Sequence, residues 1–350
     1  AVLDPISWTT GRKHTRRLPV STRLRSDAGA QDTLEEFFRL CDLAGAPRCA
    51  FAGNSRDRFA ALVERLDAEP VIIVNPDGSE FVIDDALTIA VALNTLYNPP
   101  NWFFFANDLA FIEQLATPTA LSSNFSVFGT ELGRRTPNPD LVPQTIEGFP
   151  GVLCSDSDNP DNPFVWAYAG KISERKFGYF GKPWTWASSP CAKWPGSKKS
   201  RYAGPFTSKT SNTVLVTSTR YDPATRYEGA VTVDKLLPNS HLLTVEGWGH
   251  TTLLLSQCAT QIGADYLLSG KLPGRTSTCK ADFPPFFLSP DEVFGPAAAF
   301  AAEGLEAETE RLESTTEADA AAVSNRDAVA LDRAEVMRAL RDGGASYGKR

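Results

Sequence analysis

The chain has 350 residues, 42% of them hydrophobic, and a formal net charge of −7. That is ample for a buried core in one large or two smaller domains. The net acidity argues against a nucleic-acid binder, and no apolar run reaches the length of a membrane-spanning helix. The charge is uneven: residues 288–350 hold 13 acidic and 7 basic side chains, and so carry −6 of the −7.

The chain opens on Ala1-Val2-Leu3-Asp4-Pro5, which reads as the end of a strand, with Asp4 a turn residue before Pro5. No basic start followed by a long apolar stretch, the mark of a signal peptide, is present. A basic loop follows, in which His14 receives no role. Residues 27–67 read as two helices. Asp32 or Thr33 is the expected cap of the first, with Leu34, Phe37, Phe38, Cys41 and Leu43 near one face. Phe59, Leu62, Val63 and Leu66 repeat the pattern in the second. VIIVNPDGSEFVIDD reads as a hairpin turning at PDG. ALTIAVALNTLYNPP is a third helix stopped by its prolines, and WFFFANDLAFIEQLA a fourth. Its aromatics, Trp102 to Phe105, either line a pocket or pack between helices, the second being the simpler reading. Residues 122–150, rich in Pro and Gly, read as loop. Asp156, Asp158 and Asp161 lack the glycine and terminal Glu of a calcium loop; they form a solvated turn or receive a peptide's ammonium group. Trp184, Trp186 and Trp194 either wall a pocket or pack beneath a disulfide.

Residues 213–254 organise the rest. TVLVTST and HLLTVEG are short apolar runs that read as buried strands. Between them Pro223 suits the first turn of a helix, which Pro238 and Asn239 end. Strand, helix, strand implies a parallel sheet and an α/β fold. Asp222 follows the first strand, and Gly247-Trp248-Gly249-His250 the second, ahead of a helical run over residues 251–268. Functional groups in such sheets gather beyond the carboxyl ends of the strands. An Asp and then a His placed there match the last two members of an α/β-hydrolase triad, the carboxylate orienting the imidazole that acts as base and then acid. The same residues also suit a helix cap and an exposed loop histidine. Six cysteines allow fifteen pairings. Their spacing points to the neighbours Cys41 with Cys49, Cys154 with Cys191 and Cys258 with Cys279; six buried thiols are the alternative. A metal site is disfavoured, because the histidines stand apart from the cysteines.

VTSTRYDPATRYEGA, LLTVEGWGHTTL and QCATQIGADYLLSGKLPGRTSTC resemble the C-terminal domain of the TAP-like family, as do VLDPISWTTGR, RLRSD, FFRLCDLAG, CSDSDNP and KPWTWASSPCAKWP. These are secreted serine peptidases and hydrolases of the α/β-hydrolase fold, similar to tripeptidyl aminopeptidases. The resemblance runs over roughly residues 1–286 and places the family's catalytic Asp and His at Asp222 and His250. It implies disulfides, export, no cofactor, and a peptide or other small acyl substrate. It also implies a sheet remnant at 1–10, a mainly helical cap at 11–170 and the hydrolase domain at 171–286. It does not extend into residues 287–350, whose Ala-, Glu- and Arg-rich composition reads as a helical or disordered tail with no chemistry. The nucleophile elbow, G-x-S-x-G, is expected to lie outside this chain. GNSRD from Gly53 lacks the second glycine, no other serine is expected to have the pattern, and no HGG-type run offers an oxyanion hole. The chain is therefore expected to be the C-terminal part of an exopeptidase, inactive alone. A non-catalytic module that binds peptides or completes a partner's sheet is the alternative.

Overall fold

A computed structural model describes residues 18–74, 78–116, 145–195, 207, 209–274 and 277–287. The expected strand remnant at 1–10, His14, most of the PDG turn, most of the proline-rich stretch and nearly all of the acidic tail lie outside the described residues.

The first half is helical. α1 (Val20–Leu24) leads into α2 (Ser26–Ala44), and α3 is Ser55–Ala68. Leu34, Phe37, Phe38 and Cys41 are buried as their spacing predicts, but Leu43 is 75% exposed. It sits in the last turn, where Gly45 already leads the chain away. The first helix also begins earlier than its expected cap. Asp32 and Thr33 lie inside α2, and the Thr33 hydroxyl donates to the Gly29 carbonyl one turn back instead of capping. β1 (Val71–Val74) and β2 (Glu80–Ile83) form the expected antiparallel pair. α4 (Asp85–Leu96) is capped by Asp84, whose carboxylate accepts from the Leu87 N–H; this is the usual way one orphan donor is satisfied. A short 3₁₀ turn at Pro99–Asn101 feeds α5 (Trp102–Leu115).

Trp102, Phe103 and Phe105 are core residues, not an open wall. All three are at most 8% exposed, and Phe37 packs against both the Trp102 and Phe105 rings. Residues 145–150, read from sequence as loop, belong to α6 (Thr145–Asp156) with Pro150 inside it. A proline there forfeits one helical bond. Tertiary contacts offset the loss, because Leu153 and Cys154 are buried with Val20, Trp166 and Cys191 in a small second core. α7 (Pro163–Phe177), α8 (Gly181–Ala187) and a 3₁₀ turn at Ser189–Lys193 complete this block. Trp184 is buried, Trp186 is half exposed, and Trp194 packs on the small core while donating to Ser155 Oγ at 3.1 Å.

The second half is a three-stranded parallel sheet in the order β3-β4-β5. β3 is Val214–Tyr221, β4 Ser240–Trp248 and β5 Thr278–Lys280. The crossover α9 (Tyr227–Leu236) starts later than expected from Pro223: Asp222 accepts from the Ala224 and Thr225 N–H groups as a cap would, but the chain does not continue as a helix, Arg226 lying at φ −52° and ψ 134°. α10 (Gln257–Ser269) likewise starts after the expected Thr251. Thr251 and Leu254 take positive φ, which interrupts a helix, and Ser256 caps the helix through the Ala259 N–H.

Asp27 is the most deeply buried acid among the described residues of the helical half. It is 1% exposed, accepts from the Ser173 hydroxyl and the Ala28 N–H, and lies 3.6 Å from Arg25. Burial nonetheless raises its carboxyl above the ordinary value, the hydrogen bonds and Arg25 offsetting only part. The folded state therefore holds the Asp27 proton where the unfolded chain has lost it. That contribution is complete below the unfolded value of about 3.9 and is lost as pH rises through the folded one. Asp27→Asn is expected to abolish this loss. Urea melts between pH 4 and 7 should show the variant gaining on the wild type as pH rises; parallel curves would exclude the effect.

Candidate active site

The carboxyl ends of β3 and β4 bring Asp222 and His250 together. β3 pairs with β4 from Val214↔Ser240 to Tyr221↔Trp248, with a register shift between Thr219 and Tyr221. The two following residues, Asp222 and Gly249, thus start adjacent, and the Gly249 N–H donates to the Tyr221 carbonyl at 3.0 Å. Gly249 has φ +95°, and a Cβ there would stand 2.7 Å from Pro99 Cδ and 2.9 Å from the Tyr97 carbonyl oxygen. Glycine is thus needed twice, for the left-handed turn and for the close approach. The turn swings His250 back over Asp222.

Asp222 is 3% exposed, and its charge is met by donors on every side. Oδ1 accepts from the Ala224 and Thr225 N–H groups, both at 2.8 Å. Oδ2 accepts from Thr225 Oγ1 at 2.9 Å and the Thr251 N–H at 3.1 Å. His250 Nδ1 lies 3.0 Å from each oxygen. A carboxylate held this way cannot turn from the imidazole, and it fixes the proton on Nδ1. Nε2 makes no hydrogen bond among the described residues, and the side chain is 31% exposed. An imidazole oriented by a buried carboxylate, with Nε2 open, can take a proton from a hydroxyl and return it to a leaving group.

Sequence reasoning missed the rest of this surround. Thr225, Thr251 and Tyr97 all touch the pair. The Thr in D-P-x-T was the one legible signal, because Asp followed by Thr three residues later is a side-chain turn pattern. Trp248 leads into the His turn and donates from Nε1 to Glu36 Oε2 at 3.1 Å, tying β4 to the helical half. The hydrogen bond and charge of Arg39 hold the Glu36 carboxyl below its ordinary value.

The three disulfides join Cys41 to Cys49, Cys154 to Cys191 and Cys258 to Cys279, the neighbour pairs suggested by spacing. Among the described residues no group of three or more His, Cys, Asp or Glu side chains is placed to hold a metal ion. Asp156, Asp158 and Asp161 lie at the end of α6 and on its connection to α7. The Asp158 carbonyl accepts from Arg23, and the neighbouring Asn159 side chain accepts from the Val20 N–H, so this connection is tied to α1.

One correction comes from the sequence itself. Gly344-Ala345-Ser346-Tyr347-Gly348 has the G-x-S-x-G spacing, in a tail read as having no chemistry. The preceding Arg338-Ala339-Leu340-Arg341-Asp342-Gly343 is not the apolar run from which a nucleophile elbow springs. These residues lie outside the described ones.

A parallel sheet that carries Asp and then His beyond its strands is the arrangement of the C-terminal part of an α/β hydrolase. Comparison with known proteins agrees: residues 176–279 match the family described as TAP-like protein. Over 268 residues the chain is 25% identical to Carboxylesterase B of Mycobacterium tuberculosis, covering 75% of this chain and 49% of that protein. Over 136 residues it is 29% identical to the tripeptidyl aminopeptidase of Streptomyces lividans, covering 37% of this chain and 25% of that protein. The chain spans about half the length of the first of these relatives. Over residues 176–279 it is thus similar to the TAP-like α/β hydrolases.

Proposed function

We propose that this chain carries the acid and the base of a secreted serine hydrolase that releases short peptides from the N-termini of its substrates. The observation that carries the reading is the Asp222–His250 pair: Nδ1 at 3.0 Å from both oxygens of a buried carboxylate and Nε2 open. His250 would take the proton of a serine hydroxyl as that oxygen attacks a carbonyl, and Asp222 would stabilise the imidazolium so formed. His250 would then hand the proton to the departing amine. The similarity to tripeptidyl aminopeptidases favours a peptide, and the similarity to Carboxylesterase B makes an ester the competing substrate. Three disulfides favour an oxidising compartment.

Neither a nucleophile nor oxyanion donors belong to the described site, and a base needs both. The 350-residue chain alone is therefore expected to remain unlabelled by a fluorophosphonate probe. Co-expression with the serine-bearing half of a TAP-like relative is expected to give labelling, and faster turnover of tripeptide anilides than of simple esters. Labelling of the chain alone that disappears in Ser346→Ala would place the nucleophile at Ser346 and contradict the expectation. Labelled co-expressed protein whose turnover survives His250→Ala would sink the proposed roles.

A further inference from the structure

We propose that Tyr97, on the helical half of the molecule, is a positioning residue for His250, its ring holding the imidazole in the plane in which Nδ1 meets Asp222. The inference rests on the reading of Asp222 and His250 as an acid–base pair.

The carboxylate fixes one nitrogen but cannot by itself fix the ring. A histidine joined to the chain through a glycine turn keeps two side-chain torsions. Small excursions of either torsion tilt the imidazole out of the plane in which Nδ1 meets the carboxylate, and the cost of stretching one hydrogen bond is modest in a partly exposed site. A side chain packed against the imidazole is what limits that tilting. Tyr97 supplies it: its ring centroid is 5.0 Å from that of His250, and the planes meet at 69°. This near-perpendicular arrangement is the favoured one for aromatic pairs.

The same residue also holds the main chain, because the His250 N–H donates to the Tyr97 carbonyl at 3.0 Å. Backbone and ring are thus fixed from one place. Tyr97 is itself fixed: it closes α4, its N–H donates to the Asn94 carbonyl at 3.2 Å, and it packs against the main core. Its phenol stays neutral wherever a histidine works. Burial, with the charge of Asp222 as a second cause, pushes it up to about 12. A neutral wall stiffens the imidazole without adding a second anion to compete with Asp222. The arrangement makes the base depend on the helical half, across a long stretch of sequence, so that shifts of the α4 end would be felt at His250.

Three histidines in the sequence make nitrogen-15 labelling of imidazoles in the 350-residue chain a simple experiment. His250 is identified by the signal lost in His250→Ala. In the wild type we expect the Nδ1–H tautomer alone, a slowly exchanging ring proton, and cross-peaks between the Tyr97 and His250 rings. Tyr97→Phe should preserve all three. Tyr97→Leu should give mixed tautomers, with ring-proton exchange about three- to tenfold faster, the range an aromatic pair is worth, while the amide spectrum of the remaining core is unchanged.

Asp222→Asn separates the two ideas. If it disturbs His250 and Tyr97→Leu does not, the role of Tyr97 is overturned and the acid–base pair stands. If Asp222→Asn leaves His250 unmoved, the pair itself is wrong. Tyr97→Phe behaving like Tyr97→Leu would assign the effect to the hydroxyl and overturn a role for the ring. Should Tyr97→Leu fail to fold, the ring-to-ring cross-peaks in the wild type decide: their presence supports the assignment and their absence overturns it.

Discussion

His250→Ala, in a complex that includes the serine-bearing half, is expected to lower kcat/KM by about 10⁴–10⁶-fold, the range seen when a triad member that acts as a unit is removed. The side chain is partly exposed and, among the described residues, hydrogen-bonds through Nδ1, while the main-chain bond to Tyr97 survives substitution, so its loss should leave folding intact. Asp222→Asn should cost about 10⁴-fold by favouring the wrong imidazole tautomer. It should also reduce stability, because Asp222 accepts from Ala224, Thr225 and Thr251 as well as from His250. The difference between the two variants is therefore diagnostic. Steady-state kinetics and urea melts on both should show His250→Ala as a kinetic lesion and Asp222→Asn as both kinetic and structural. A His250→Ala enzyme within tenfold of the wild type would remove His250 from the mechanism.

The second large effect is on stability. Replacing both Cys154 and Cys191 by alanine opens a link across 37 positions of sequence. Loop-closure entropy of the unfolded chain then rises by an amount equivalent to about 4 kcal/mol, a large share of the typical 5–15 kcal/mol holding a domain together. The link matters more here than loop length implies. Both sulfurs are buried in the small core of Val20, Leu153 and Trp166, which few other residues complete. α6 also carries the internal Pro150 and so has less intrinsic helicity than its length would give. Equilibrium unfolding in urea should show a lower midpoint and a steeper dependence on denaturant, because the unlinked chain expands further. A change below about 1 kcal/mol would mean that the second core stands without its link.

Much of the fold was legible because its signals are local. The periodicity of Leu34, Phe37, Phe38 and Cys41 gave a helix face, and the apolar runs before Asp222 and before Gly247 gave two strands. The D-P-x-T and G-W-G-H segments marked the two turns that carry the pair. Failures fell where a tertiary contact outweighs a local rule. The proline in α6 argued for a loop until a disulfide and a buried leucine outweighed it. Pro223 argued for a helix start, but Arg226 is extended and the helix begins only at Tyr227. The missed G-x-S-x-G at Ser346 is a different failure, since it was readable from spacing alone and lies in a tail set aside for its composition.

The sequence by itself therefore determined which residue types stand at the two strand ends and in what order, because strand propensity and turn chemistry act within a few residues. It also determined the glycine at 249, since only that residue accepts the turn. The parallel register of β3 on β4 was decided only in three dimensions, and with it the 3.0 Å meeting of Asp222 with Nδ1. So was the approach of Tyr97 to the imidazole from a helix that no local signal connects to it. Such contacts are selected by the packing of whole elements, where one side chain's position depends on cores built far away in sequence, and no short window of residues contains that information.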